Sequence, residues 1–368
     1  MIYLDNGATS FPKPRAVVGA VAAALEQGAN PGRGGYGAAM AASGLVLDLR
    51  EAAGALFDCR PEQVVLTSSC THGLNIAIGS LVPEGARVLV SGFEHNAVMR
   101  PLYARKAEVR IAGRKLFNWE ELLDSFRREL DRGVDGAVFT YVSNVFGYIL
   151  PVEEMARLCR EKGVPFVLDA AQAAGSLPVS LKKLGADFIA MPGHKGLLGP
   201  QGTGLLLCGG PGKPLLFGGT GSQSRLKEMP QELPERLEPG TLNVPGAAGL
   251  CAGIREVRSQ GIGNIFQREH TQAMRLCRDL KRLGCRVYCG EHQAGTVSFR
   301  GKRDCEEIAQ ALGKQGIAVR AGLHCAPLAH ESAGTLHSGT VRVSFGHQAS
   351  DRQRKALVEA LEKLEGHN

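Results

Sequence analysis

Short, β-branched and almost wholly apolar runs alternate with helical patterns through the first two-thirds of the chain, at residues 63–67, 87–91, 136–142, 164–169, 187–191 and 204–208. Runs without polar alternation are strands buried on both faces, and strands separated by helices pair in parallel because each crossover returns the chain to the edge it left. The pattern predicts an α/β fold with a mostly parallel sheet covered by helices on both faces. Ligands of such sheets sit beyond the carboxyl ends of the strands, so the residues just after each run are the candidate functional ones. Periodicity lapses over residues 209–240, where Gly-Gly-Pro-Gly-Lys-Pro and Phe-Gly-Gly-Thr-Gly-Ser-Gln-Ser read as a long functional loop. Residues 246–283 then read as helical, and strands at 296–299 and 341–344 alternate with helices in an α+β manner. The last helix is expected to start at Ser350, with Leu357, Leu361 and Leu364 on one face.

A chain of 368 residues, 44% hydrophobic and 21% charged, can bury a large core. Its longest small-and-apolar stretch, residues 16–25, is far short of the roughly 20 residues that cross a bilayer. The start, Met1-Ile-Tyr-Leu-Asp5, has no basic leader, so a soluble, unprocessed, cytoplasmic protein is expected. Ten cysteines are scattered without any Cys-x-x-Cys, which speaks against disulfides and a structural zinc, and no metal is expected. The net charge of +7 comes from basic residues interleaved with acids, as over 124–132. Such segments are solvated helix faces rather than a nucleic-acid groove, and the positive balance suits small anionic ligands.

The run ending Val167-Leu168 delivers Asp169 and then Ala-Ala-Gln172, while the run ending Ala190-Met191 delivers Gly193-His194-Lys195-Gly196. A carboxylate and a lysine therefore emerge at one edge of one sheet. A plain ion pair would explain them. Glycines at 193, 196 and 199 add that backbone and a flat ligand can approach closely, which suits an imine between the lysine and an aldehyde cofactor. The carboxylate would keep a pyridine nitrogen protonated. Upstream, Thr67-Ser-Ser-Cys70-Thr71-His72-Gly73 places hydroxyls at a strand-to-helix turn, which suits a phosphate or merely caps a helix. It lacks the Gly-x-x-x-x-Gly-Lys of a nucleotide loop. His95 is either a satisfied strand-end histidine or an imidazole that stacks on a flat ring and moves protons.

The ordered set Leu4-Asp5-Asn6-Gly-Ala, Thr71-His-Gly-Leu-Asn75, Glu94-His95-Asn96, Val142-Ser-Asn144, Asp169-Ala-Ala-Gln172, Gly193-His194-Lys195, Glu238-Pro-Gly-Thr241 and Arg320-Ala-Gly-Leu-His-Cys325-Ala resembles class V aminotransferase-fold enzymes. Within these it resembles a cysteine desulfurase, nearest the branch with a short Arg-x-Gly-x-His-Cys-Ala loop. The resemblance implies a fold-type I homodimer dependent on pyridoxal 5′-phosphate (PLP). A large PLP-binding domain over 15–254 would hold a sheet of the seven-stranded type, and 1–14 with 255–368 would form a smaller α+β domain. It further implies that Lys195 is the Schiff-base lysine, Asp169 the partner of the pyridine nitrogen, Gln172 the donor to the phenolic oxygen and His95 the stacking imidazole. Thr71 and His194 would meet the phosphate, Cys70 would lie among the cofactor-binding residues, and Thr241 would reach the phosphate of the neighbouring subunit. Asn144 and Arg342 would hold the substrate carboxylate, with Arg320 beside them. Cys325 would attack the sulfur of bound L-cysteine, release alanine and keep a persulfide, its ionisation helped by Arg320 and His324.

This chain departs from the family pattern at Pro192, where many relatives have a serine, at His72, where Glu is frequent, and at His347, near a position often held by Asn. Selenocysteine lyase, another C–S lyase, an epimerase or a transaminase on the same scaffold are the alternatives, and a binding-only descendant would have no use for both Lys195 and Asp169. A sulfur-acceptor protein is an expected partner; nucleic acid and membrane are not.

Overall fold

The computed structural model describes residues 1–32 and 34–365. Its large sheet has seven strands in the order Val64–Thr67, Gly204–Cys208, Phe188–Pro192, Phe166–Asp169, Gly136–Thr140, Arg87–Ser91 and Glu108–Ala112. Gly204–Cys208 runs antiparallel to both neighbours, and the others share one direction. The reversal follows from a connection without a helix: residues 193–203 turn the chain straight back, so nothing returns it to the starting edge. Glu108–Ala112 was not legible as a strand, because it closes the sheet edge with the alternating sequence Glu-Val-Arg-Ile-Ala and buries little of it.

Successive strand residues feed two cores. Val65, Val167 and Leu206 pack on the face covered by helices Cys70–Leu81 and Asn96–Ala104. Val64, Leu168 and Leu205 pack on the opposite face with helices Gly37–Phe57, Trp119–Asp131, Val152–Glu161 and Val244–Gln260. Both faces are apolar, which is why the runs read without alternation. Phe139 and Phe166 stack with ring centres 5.3 Å apart, and each is at most 1% exposed. Burying a side chain of that size contributes about 1.5–3 kcal/mol.

A four-stranded sheet, Arg320–Gly322, Thr340–Ser344, Thr296–Arg300 and Arg286–Tyr288, is antiparallel throughout. Helices Ile262–Arg282, Cys305–Lys314 and Asp351–Glu365 cover it around Leu276, Phe299, Val343 and Leu361. Leu4 joins this core from the N-terminus, where Ile2–Tyr3 pairs with Ile317–Ala318. The helical stretch read over 246–283 is two helices, broken at Gly261, whose φ of +79° ends the first and lets the chain turn into the second. Ser350 caps the last helix: its Oγ accepts from Gln353 N at 3.5 Å while Gln353 Oε1 accepts from Ser350 N at 3.1 Å. Among the described residues no helix is long and apolar enough to cross a membrane, and no cluster of His, Cys, Asp or Glu could hold a metal ion.

Candidate active site

The carboxyl ends of the co-directional strands converge on one rim, and the segments leaving it carry the chemistry. Asp169 ends its strand at 3% exposure, and its Oδ1 accepts from Ala171 N at 2.9 Å and from the Cys70 thiol at 3.5 Å. Burial pushes the Cys70 thiol up, and the Asp169 charge pushes the same way, so Cys70 is a neutral donor to that carboxylate. Lys195 lies on the turn between Phe188–Pro192 and Gly204–Cys208, closed by Gly193 N to Thr203 O at 2.8 Å and Gly199 N to Gly193 O at 2.8 Å. Gly196 is required there, since a Cβ on it would collide with the Ala174 carbonyl in the turn that follows Asp169. Close backbone approach is thus what brings lysine and carboxylate together. Burial pulls the Lys195 ammonium below its ordinary value, opposed by Cys70 and Asp169, and it has no hydrogen bond among the described residues. The pull favours a neutral amine, the nucleophilic form.

From the other side, the N-terminal segment clamps this turn. The His194 carbonyl accepts from Ser10 N at 3.0 Å, Thr9 Oγ1 at 3.0 Å and Lys13 Nζ at 2.7 Å. The His194 ring meets Thr9 Oγ1 at 3.1 Å, and burial pushes it down to about 4. Gln172 Nε2 donates to Gly7 O at 3.0 Å. Ser69 caps the Cys70–Leu81 helix by accepting from His72 N at 3.1 Å, which leaves the Cys70 and Thr71 amides at the helix start without partners among the described residues. Such amides attract anions. Pro192 ends its strand without a hydroxyl to add to them. Thr241 is exposed and, with Ser68 and His72 of its own chain, lines a separate cavity of about 170 Å³.

His95 caps the Asn96–Ala104 helix with its Nδ1, which accepts from Ala97 N at 2.9 Å. The neutral ring therefore carries its proton on Nε2. Burial lowers its proton affinity, with Asp169 opposing. Glu94, fully buried, accepts from Thr140 N at 3.0 Å, keeps Oε2 unpartnered and is pushed up to about 8 by burial.

Opposite this rim stands the antiparallel sheet. Arg342, 2% exposed, pairs with Asp5 at 2.6 Å and donates from Nη1 to Asn144 O at 3.1 Å. Asn144 donates from Nδ2 to His324 O at 2.8 Å, leaving its own Oδ1 and Arg342 Nε buried without partners. Arg320 reaches the other oxygen of Asp5 at 3.4 Å. His324 and Cys325 occupy left-handed backbone, φ +50° and +57°, which costs side-chain-bearing residues roughly 1–2 kcal/mol each. The turn is held by Ala326 N to Leu323 O at 2.9 Å and by Asn96 N to Cys325 O at 2.8 Å, so the cysteine is tied next to His95. Of the ten cysteines, Cys325 is the only exposed one.

The His324 ring turns inward to Thr340 O at 3.1 Å, and burial pushes it down to about 2. It is neutral and supplies no positive charge to Cys325, contrary to the sequence expectation; Arg320 remains as the nearby cation. A base kept neutral in the native state but free to protonate when unfolded loses stability as pH falls through its unfolded value. Below pH ~6.5 the wild type should lose about 1.4 kcal/mol per pH unit on account of His324, and His324→Asn should show an acid limb shallower by that slope in urea midpoints measured from pH 7 to 4.

Sequence reading missed Asp5 as the partner of both arginines, the Thr9–Ser10–Lys13 clamp and the state of Glu94. Asp5 and Glu94 lie in quoted motifs, but their partners are distant in sequence. Glu269 carried no signal at all: it faces a chamber shared with Lys195, Gln172 and His347, and burial pushes it up to about 8.

The sequence profile of the family "Aminotransferase class-V" matches residues 2–357. A "Probable cysteine desulfurase" of Methanothermobacter thermautotrophicus is 32% identical, over 99% of this chain and 95% of the relative. A "Cysteine desulfurase" of Escherichia coli O157:H7 is 29% identical, over 99% and 93%. Among solved structures, the apo cysteine desulfurase of Thermococcus onnurineus NA1 superposes with a TM-score of 0.91 at 31% identity, covering 100% of this chain and 95% of that one. With a match over nearly its whole length, and a rim that gathers the motif residues from every part of that length, the chain belongs to the class V aminotransferase family.

Proposed function

We propose that this protein is a PLP-dependent cysteine desulfurase that converts L-cysteine to L-alanine and takes the sulfur onto Cys325 as a persulfide. One observation carries the reading: the only exposed thiol of the chain is tied by its backbone carbonyl to the residue after His95, at the mouth of a site that holds Lys195 and Asp169. The residues fit the cofactor. The Lys195 amine, which has no hydrogen bond among the described residues, and the open amides of Cys70 and Thr71 are what a flat, anionic, aldehyde-bearing ligand would satisfy. Lys195 would hold it covalently, Asp169 would pair with the ring nitrogen, Gln172 with the phenolic oxygen, and Thr71, His194 and the helix start with the phosphate. When bound, the group supplies a conjugated electron sink for bonds at the substrate's α and β carbons.

The chain's own residues do the rest. Arg342 receives the substrate carboxylate through its buried, unpartnered Nε, and Asn144 joins it by turning its Nδ2 donor from the His324 carbonyl to the ligand. Lys195, its ammonium destabilised by burial, takes the α-proton; His95 cannot take it at Nε2, which already carries hydrogen, and serves as stacking partner and donor. The Cys325 thiolate attacks the substrate sulfur: an S–S bond forms, the Cβ–S bond breaks with its electron pair left on carbon, that carbon gains a proton to become the methyl of alanine, and Lys195 returns a proton to the α carbon.

A homodimer is supported by exposed apolar side chains on the first two helices and the long loop, Val18, Leu25, Met40 and Leu47 with Leu216 and Phe217. Ten cysteines, none of them in a disulfide, suit a reducing cytoplasm. The division into 15–254 and 1–14 with 255–368 is supported by the separate core around Leu4, Phe299 and Leu361. To test the function, PLP-loaded protein is incubated with L-cysteine and a reductant, and alanine and sulfide are quantified. Equal yields are expected, with Cys325→Ala lower by about 100-fold or more. Pyruvate instead of alanine, or full activity in Cys325→Ala, would overturn the desulfurase assignment and make selenocysteine the next substrate to assay.

A further inference from the structure

Asp5 joins two guanidiniums, taking Arg342 Nη2 at 2.6 Å on one oxygen and Arg320 Nε at 3.4 Å on the other. Two cations and one carboxylate leave this cluster one negative charge short. On Arg342, Nε and Nη2 form the edge that grips a carboxylate with two parallel hydrogen bonds. Asp5 uses only the Nη2 end, and the neighbouring Nε is buried and bare. The backbone around Asp5 is fixed by Ser344 N to Leu4 O at 2.7 Å and Asn6 N to Ser344 O at 3.3 Å, so its side chain can change partner without the segment moving. A buried guanidinium with no counter-charge is costly, so something must neutralise Arg342 before a substrate does.

We propose that Asp5 is a resident stand-in for the substrate carboxylate, neutralising Arg342 in the resting protein and passing to Arg320 as the substrate takes the Nε–Nη2 edge. The exchange gives each arginine one carboxylate and makes the cluster neutral. It also sets selectivity, because a ligand must offer a carboxylate able to replace Asp5, which a weakly held anion cannot. The inference rests on Arg342 as the substrate-carboxylate site, and its test needs no turnover.

Propionate, a carboxylate with no amine or sulfur, serves as the probe, and its affinity is read from the rise in melting temperature of PLP-loaded protein with concentration. Asp5→Asn should melt lower than wild type without propionate and bind it at least about tenfold more tightly. Equal or weaker binding would show that Asp5 orients Arg342 rather than competing for it, and would overturn the proposal. If Asp5→Asn does not fold, the double variant Asp5→Asn/Arg320→Gln keeps the wild-type cluster charge; it should bind propionate at least about tenfold more tightly than Arg320→Gln, and failure to do so is equally fatal. Arg342→Gln separates the two readings: propionate affinity that survives it removes the Arg342 assignment itself, whereas a wild type that makes alanine from L-cysteine with Asp5→Asn unchanged in propionate binding removes only the exchange.

Discussion

Replacing Lys195 by alanine is expected to abolish alanine formation from L-cysteine, by about 10⁴-fold or more, and to end covalent retention of the cofactor. In the proposed function the lysine does two jobs at once, anchoring the aldehyde and moving the α-proton, and proton transfer by a positioned group contributes about 10²–10⁴ on its own. No other amine can replace it. Lys13, the lysine of the clamp, is committed to the His194 carbonyl and Ser10 Oγ at 2.7 Å each. Borohydride reduction followed by peptide mapping should place the cofactor on the Lys195 peptide of the wild type and nowhere in Lys195→Ala. Labelling at another lysine, or loss of less than tenfold in rate, would remove Lys195 from its role.

The largest effect on folding is expected from Glu238→Ala. Glu238 is 8% exposed, pairs with Arg50 Nη2 at 2.6 Å and accepts from Leu66 N at 2.5 Å, while Arg50 also bonds the Val64 carbonyl. Removing one partner leaves a buried guanidinium uncompensated, a loss of about 3–5 kcal/mol. An exposed pair such as Lys106 with Glu84 should be worth under about 1 kcal/mol. Because Glu238 bonds the strand that launches the Ser68–Thr71 turn, its loss should also loosen the candidate phosphate site. Denaturant midpoints check the first effect and PLP dissociation the second; a change below about 1 kcal/mol would mean that water reaches Arg50.

Much of this was legible beforehand, for particular reasons. The strands at 87–91, 164–169 and 204–208 announced themselves because burial on both faces forces uninterrupted apolar sequence. Asp169, Lys195, His95 and the Ser68–Thr71 turn were legible because each follows such a run, and a parallel sheet sends those ends to one rim. Strand Glu108–Ala112 was not, since an edge needs no such sequence.

What the sequence determined by itself, then, is the layered α/β architecture and which candidate side chains its strand ends deliver to one rim, since both depend on local pattern and residue chemistry. Tertiary structure decided how those side chains are charged and paired. His324 stands beside Cys325 in the chain, yet its ring is turned inward and kept neutral by burial. Asp5 and Arg342 lie at opposite ends of the chain, yet they form an ion pair at 2.6 Å in which the arginine is almost wholly buried. Desolvation and through-space charge depend on what packs around a group, and no short stretch of sequence records that.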